Sequence, residues 1–387
     1  MFEQIVRFQA KQHPNRPAVI TPHGVTSFRS LHADVQRFAQ RLRTAVAPGS
    51  VAAIALDRSY RHVVAAAALA QLGVTFVSVG LSSRREVLQL VGPDLVLWDP
   101  EAGPAPDRAL VVDASWSRSP VPEPPAPLRP LAPADPVAIQ LSAGAAGEAR
   151  KMAYAREQFD ARLFSFASAI EVGPDSRVLS LMGLNTAVGA FAPWAAWMWG
   201  GAWVSGIQLL LEPARPRRVK PNLLIATPDQ LRALPPRLAS AAEPMPWLSI
   251  WCSSGALAPA ASAEVRRRLT PRLHRAYGSP EAGPTAGAMA ADLEAREGAV
   301  GYPYPWAEVT IVDDEGRVLP AGSVGRVRIR TPGMIRGYLG DAASSRAGFN
   351  GGWFLPGDLG SLGADGLLTL TGRATDLLNV GDAKVAV

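Results

Sequence analysis

The sequence predicts an α/β protein with mainly parallel sheets, ending in a smaller β-rich, barrel-like part. Three observations predict it. Strands alternate with helices up to about residue 298, the spacing of a parallel sheet covered on both faces. Beyond that point short strands follow one another with turns such as Asp314-Glu315-Gly316 between them, an antiparallel pattern. Apolar residues are 48% of the chain against 19% charged, enough to fill a large core and to exclude global disorder. At 387 residues and about 150 residues per domain, two or three compact units are expected.

Ser27–Arg43 places Phe28, Leu31, Val35, Phe38, Ala39 and Leu42 at helical spacing. Ser50–Ala55 reads as a short buried strand, Val63–Gln71 as a helix and Val74–Val79 as a strand. Arg84–Leu90 is a helix and Leu95–Trp98 a strand. Prolines from Pro120 to Pro136 make residues 119–136 a stiff, extended connector. The alternation resumes with helix Leu163–Ala169, strand Arg177–Leu181, helix Ala187–Met198 and strand Ala202–Ile207. Leu223–Ala226, Leu248–Cys252 and helix Ser262–Arg268 follow. Glu308–Val312, Val324–Arg330 and Leu367–Thr371 are the strands of the last part.

Composition narrows the function classes. Basic residues number 39 against 33 acidic, a net charge of +6, and only Lys11, Lys151, Lys220 and Lys384 are lysines. The charge is spread along the chain without a basic stripe or aromatic support, so no nucleic-acid partner is expected. Cys252 is the only cysteine, which excludes an intrachain disulfide and a cysteine zinc site and fits a reducing compartment. Glu3, Arg7 and Lys11 break up the N-terminus, so it lacks the apolar core of a signal peptide. The apolar stretches Val63–Leu81 and Leu181–Leu211 are split by Gly73 and by Asn185 and Pro193. Each reads as a helix followed by a buried strand, so no membrane span is expected and a cytoplasmic protein is.

Three segments carry possible chemistry. In the first, a strand ending at Ser142 runs into a small-residue loop with Gly144 and Gly147, followed by Arg150 and Lys151. Backbone N–H groups in such a loop cradle phosphates, and a cation neutralises them. The second is Arg275-Ala276-Tyr277-Gly278-Ser279-Pro280-Glu281, where a carboxylate after a Gly-Ser turn can hold Mg²⁺ beside a phosphate. The third is Trp353–Gly360, containing Asp358, followed by Gly372-Arg373-Ala374-Thr375-Asp376. A carboxylate there can accept two sugar hydroxyls, with an arginine in reach of the same sugar. Taken alone, each segment is equally an ordinary turn.

Their order and spacing resemble the adenylate-forming superfamily: acyl- and aryl-CoA synthetases, luciferase and the adenylation domains of peptide synthetases. Ser142–Lys151 is similar to the family's phosphate loop, Tyr277–Glu281 to its Tyr-Gly-x-Thr-Glu motif, and Gly301-Tyr302-Pro303 through Gly337-Tyr338 to its next block. Asp358 and Gly372–Asp376 fall where the ribose and hinge motifs lie. The resemblance implies an N-terminal domain over 1–380, with αβα subdomains at 1–136 and 137–297, a β-rich subdomain at 298–372, and hinge and chain end at 373–387. It implies that a carboxylate attacks ATP to give an acyl-adenylate, which a thiol of CoA or of a phosphopantetheine carrier then takes. Asp358 would bind the ribose with Arg373 in support, Tyr277 would stack on adenine, and Gly255 and Ala256 would line its other side. Gly278 and Ser279 would complete the nucleotide site together with Ser142, Gly144 and Gly147. Glu281 would hold Mg²⁺, and Arg150 and Lys151 would serve the phosphates.

The sequence departs from the family at the phosphate end. Ala145 and Ala146 stand at the loop's hydroxyl positions, Ala149 at its proline, and Pro280 replaces a threonine. Hydrogen bonds to charged groups contribute roughly 1.5–3 kcal/mol each, so adenylation should be slower than the family's. The family's C-terminal lid is expected to be absent, since Val387 lies soon after Asp376, and Lys384 is too near the hinge to replace the lid's lysine.

The family's acid pocket aligns with Leu181–Gly206. Gly183-Leu184-Asn185-Thr186 offers no carboxylate to pair with an ammonium, so an α-amino acid is not expected. Asn185 resembles the asparagine of aryl-acid activating relatives, and Trp194 could supply a flat wall or core packing. An aryl or other apolar acid is the lead expectation and a fatty acid the second. The alternative function is a non-catalytic relative that holds an adenylate, an acyl-carrier protein or another partner.

Overall fold

The computed structural model describes residues 2–386 except 81, 119, 122, 124–126, 129–130, 143–148, 213, 235–243, 375–376 and 381–382. The expectations on Gly144, Ala145, Ala146, Gly147 and Asp376 therefore lie outside the described residues. The chain forms two compact units, Met1–Leu224 and Ile225–Val387.

In the first unit the helix Phe28–Arg43 begins where expected. The Ser27 hydroxyl caps it, accepting from the Ser30 N–H at 3.2 Å, and Phe28, Leu31, Val35, Phe38, Ala39 and Leu42 form its buried stripe. The helix Ser59–Leu72 stops at Gly73, whose φ of +74° is the left-handed conformation that glycine adopts without strain. One sheet runs in the order Ala109–Val111, Leu95–Trp98, Val51–Ala55, Thr75–Ser78, Pro136–Ser142, Arg150–Ala155. All its pairs are parallel except the last, a hairpin. The boundary expected after residue 136 thus falls at the start of a strand that joins the first sheet. The helix expected from Leu163 begins earlier, at Arg156, because its first turn is polar. Gln158 closes that turn by accepting from the Ala155 N–H at 2.9 Å.

A second set of strands in this unit pairs Arg177–Ser180, Ala202–Val204 and Pro17–Thr21 in parallel, with Gly24–Ser27 antiparallel at its edge. The Pro17–Thr21 strand has no clear alternation in sequence because it is buried on both faces. An aromatic core of Phe2, Phe159, Phe191, Trp194 and Trp197 lies against the helices Arg156–Ala169 and Ala187–Met198.

In the second unit, Ser249–Cys252 pairs in parallel with Leu273–Ser279, and every later pair is antiparallel. The last part has its own core of Val309, Ile311, Val327, Ile329, Phe354 and Leu368. The strand expected over Leu367–Thr371 runs instead over Leu368–Arg373. That shift brings Arg373 into the ladder opposite Asp358. Among the described residues, no helix is long and apolar enough to cross a membrane.

Candidate functional site

The second unit gathers residues that are far apart in sequence. Register in the pair Asp358–Leu362 and Leu368–Arg373 sets Asp358 against Arg373. Arg373 Nη1 donates to Asp358 Oδ1 at 2.6 Å, and the Tyr277 hydroxyl donates to Oδ2 at 2.5 Å. Asp358 is 6% exposed, whereas the Arg373 side chain is 53% exposed. Burial first, and then the charge and hydrogen bond of Asp358, push the Tyr277 hydroxyl above its ordinary pKa, so it stays a donor. Each carboxylate oxygen keeps a second lone pair for an incoming hydroxyl.

Tyr277 lies on the strand Leu273–Ser279, and Glu281 follows in the turn to Gly283–Met289. That turn is tight. A Cβ at Gly278 would lie 2.3 Å from the Gly283 carbonyl oxygen, so only glycine fits. Ser279 Oγ accepts from the Ala282 N–H at 3.1 Å. Ser279 is therefore engaged within the turn. Glu281 is 7% exposed, and its Oε1 accepts from the Tyr338 hydroxyl at 2.9 Å. The Glu281 carbonyl accepts from the Ile335 N–H at 3.0 Å, tying the turn to the segment before Tyr338. Gly255 follows Ser254, a non-glycine residue at φ +68°, in a strained loop after Ser249–Cys252. Ala256 is exposed beside it.

Among the described residues, no group of three or more His, Cys, Asp or Glu is placed to hold a metal ion. A buried carboxylate such as Glu281 fits the habit of Mg²⁺, which takes one or two carboxylates and completes its shell with phosphate oxygens and water.

The first unit carries the other expected residues. Ser142 pairs with Arg150, and Leu141 with Lys151, in the hairpin of Pro136–Ser142 and Arg150–Ala155. Alternation along the strand sends the two cations to opposite faces. Lys151 Nζ donates to the Leu90 carbonyl at 3.2 Å, in the last turn of the helix Arg84–Val91, where a cation complements the helix dipole. Lys151 is thus separated from Arg150 and engaged at a helix end.

Asn185 stands on a constrained turn. Gly183 O accepts from the Thr186 N–H at 2.9 Å and from the Thr186 hydroxyl at 2.8 Å. Thr186 Oγ1 in turn caps the helix Ala187–Met198 by accepting from the Gly189 N–H at 3.0 Å. The exposed Asn185 carboxamide fills a notch between two glycines: a Cβ at Gly80 would lie 2.6 Å from Nδ2, and one at Gly183 2.6 Å from Oδ1. Trp194 is corrected: it is 4% exposed and packs edge-on against Phe2, Phe159 and Trp197, which puts it in the core rather than on a pocket wall. Sequence reasoning gave no role to Tyr338 or Gly80. Tyr338 belonged to a recognisable Gly-Tyr pair, whereas Gly80 carried no signal at all.

Comparison with known proteins agrees with this geometry. The family model described as AMP-binding enzyme matches residues 6–339. The chain is 25% identical over 413 residues to the fatty acid–[acyl-carrier-protein] ligase ScoC of Streptomyces coeruleorubidus, covering 99% of this chain and 79% of that one. It is 38% identical to the 3-hydroxybenzoate–CoA ligase of Aromatoleum sp. (strain CIB), but over 92 residues, 24% of this chain and 18% of that one. In structure it is similar to o-succinylbenzoate CoA synthetase (MenE) from Bacillus subtilis in complex with the acyl-adenylate intermediate OSB-AMP. The TM-score is 0.85 at 21% identity, covering 99% of this chain and 80% of that one. The fold is that of the adenylate-forming enzymes' N-terminal domain, with α/β layers and a β-rich end. The family match runs through both units and takes in Tyr277, Glu281 and Tyr338, so the chain belongs to the AMP-binding enzyme family.

Proposed function

We propose that this chain uses ATP and Mg²⁺ to activate a carboxylic acid as its acyl-adenylate, for transfer to a thiol of CoA or of a phosphopantetheine-bearing acyl-carrier protein. The observation that carries the reading is the Asp358 carboxylate, buried yet flanked by an exposed arginine, with one oxygen on Arg373 and the other on Tyr277. In this reading Asp358 accepts the ribose hydroxyls, and Arg373 orients the carboxylate. The Tyr277 ring stacks on adenine, opposite the Gly255–Ala256 loop. Gly278 and Ser279 hold the turn close enough for backbone contact with the α-phosphate. Glu281, oriented by Tyr338, is the protein ligand for Mg²⁺, which supplies charge neutralisation of the phosphates when bound. Arg150, Ser142, Gly144 and Gly147 are assigned to the phosphates in this proposal from the sequence resemblance alone.

Asn185 and Gly183 border the acid in this proposal, and the absence of a carboxylate beside them favours an aryl or other apolar acid over an amino acid. A second reading, adenylate or carrier binding without turnover, draws support from Ala145, Ala146 and Pro280, which remove donors from the phosphate end.

One experiment separates the two: carboxylate-dependent pyrophosphate release with Mg-ATP over a panel of aryl and fatty acids. Release with at least one acid is expected. No release from any acid, in a protein that still binds AMP, would replace the ligase reading with the binding one.

A further inference from the structure

The outward face of one helix in the first unit combines an aromatic ring with unpaired cations. The helix Ile5–Gln12 buries Ile5, Val6 and Gln9. Arg7, Phe8 and Lys11 fall at the spacing of the opposite face and are exposed. Phe8 is 58% exposed, more than any other aromatic side chain among the described residues.

A second exposed aromatic lies beside this helix. Gln9 Nε2 donates to the Met198 carbonyl at 3.1 Å. A Cβ at Gly200 would lie 3.1 Å from Gln9 Oε1 and 3.6 Å from Arg16 Nη1. The turn from Met198 to Gly200 therefore abuts the helix, with Arg16 close by, and its Trp199 is exposed.

The cations of this face are uncompensated. Exposed arginines elsewhere stand beside carboxylates, as in Arg58–Glu101, Arg296–Asp365 and Arg317–Asp313. Among the described residues, Arg7, Lys11 and Arg16 have no such partner. The field of the first two reaches inward. His32, on the helix Phe28–Arg43, is held below its ordinary pKa by burial first and then by Arg7 and Lys11. A symmetric contact between copies would set these like charges together, so a second copy does not complement the face. An anionic surface that also admits apolar rings does. The headgroup layer of an anionic bilayer attracts Lys and Arg and takes up aromatic rings.

We propose that the outward face of the helix Ile5–Gln12, with the adjoining Trp199 turn, docks on the surface of an anionic lipid bilayer. Phe8 and Trp199 enter the headgroup layer, and Arg7, Lys11 and Arg16 face the lipid phosphates. This goes beyond the acid-activating reading and does not rest on it. Each basic side chain near such a surface is worth roughly fivefold in partition. Three of them should favour anionic over neutral vesicles by about a hundredfold.

The test is flotation of the chain with vesicles of phosphatidylcholine alone and of phosphatidylcholine with phosphatidylglycerol. The parent chain should float with the second and not the first, and added salt should release it. Arg7→Glu combined with Lys11→Glu should bring flotation down to the level of the neutral vesicles. Phe8→Ala should weaken it about tenfold. All three positions are exposed, so thermal unfolding and AMP binding should match the parent chain. Absence of flotation with anionic vesicles overturns the proposal. So does equal flotation with both vesicles, or flotation that survives the double charge reversal. If the parent ignores both vesicles but self-associates, and Phe8→Ala abolishes that, the face is a contact between copies and the lipid proposal falls.

Discussion

The two units each contain a tyrosine, an aspartate and an arginine bonded in the same pattern. In the first unit the Tyr60 hydroxyl donates to Asp34 Oδ2 at 2.6 Å and Arg37 Nη1 to Oδ1 at 2.8 Å. In the second, Tyr277 and Arg373 treat Asp358 the same way. Both tyrosine hydroxyls are raised above their ordinary pKa, by burial first and the aspartate second. What differs is construction. Asp34 and Arg37 lie one turn apart on a single helix, Phe28–Arg43, and their side chains are 13% and 18% exposed. Asp358 and Arg373 come from two strands, with the tyrosine 81 residues away, and Arg373 is 53% exposed. A closed triad made on one helix and its neighbour ties two helices together. An open triad assembled from distant strands sets a buried carboxylate, each of whose oxygens has a second lone pair, beside a half-exposed arginine, which suits a ligand.

The largest expected effect breaks this comparison directly. Asp358→Ala removes an acceptor for two hydroxyls, and charge-assisted bonds contribute roughly 1.5–3 kcal/mol each. AMP affinity should fall about a hundredfold or more by calorimetry. Asp34→Ala should leave AMP affinity alone and lower the unfolding temperature by several degrees, since about 1–3 kcal/mol is lost with a buried partner. If both variants lose AMP binding equally, or neither does, the distinction between closed and open triads is wrong.

The closed triad was invisible in the sequence, and the open one was half visible. Asp358, Arg373, Tyr277 and Glu281 were legible because each stands in a motif whose spacing repeats a known order. Their mutual bonds were not legible, because strand register across 15 and 81 residues is set by packing rather than by local pattern. The early strand Pro17–Thr21 and the first turn of Arg156–Ala169 were missed for opposite reasons, full burial in one and polarity in the other. Trp194 misled because an aromatic at helical spacing reads the same whether it faces a ligand or the core. Gly80 carried no signal because smallness acquires meaning only when the neighbouring side chains are known.

A second contrast concerns acid. His62 is buried in the first unit, and burial holds its pKa down at about 4 against an ordinary 6.5. The folded protein therefore keeps His62 neutral while the unfolded chain binds a proton first. Its contribution is fully present above pH 6.5 and is lost as the pH falls from 6.5 toward 4. The gap corresponds to about 3 kcal/mol. Denaturant unfolding of the parent chain should weaken over that window, and His62→Gln should flatten that part of the profile. An unchanged pH slope in His62→Gln would show that other groups control acid sensitivity.

The smallest expected effects sharpen the comparison, because they separate a tyrosine ring from its hydroxyl. Tyr60→Phe removes a bond to a carboxylate that has little access to water, so it should cost about 1–3 kcal/mol of stability and nothing in AMP binding. Tyr277→Phe removes the equivalent bond at the open triad. There the freed lone pair on Asp358 can be used by water or by a ribose hydroxyl, and the ring remains to stack. AMP affinity should then stay within about threefold of the parent chain. Tyr277→Ala removes the ring as well, and base–aromatic stacking is worth about 1–3 kcal/mol, so affinity should fall about fivefold to a hundredfold. Calorimetric AMP titrations of the three variants decide the matter. If Tyr277→Phe is as damaging as Tyr277→Ala, the hydroxyl rather than the ring contacts the nucleotide, and Tyr277 belongs with Asp358 at the ribose rather than against the adenine.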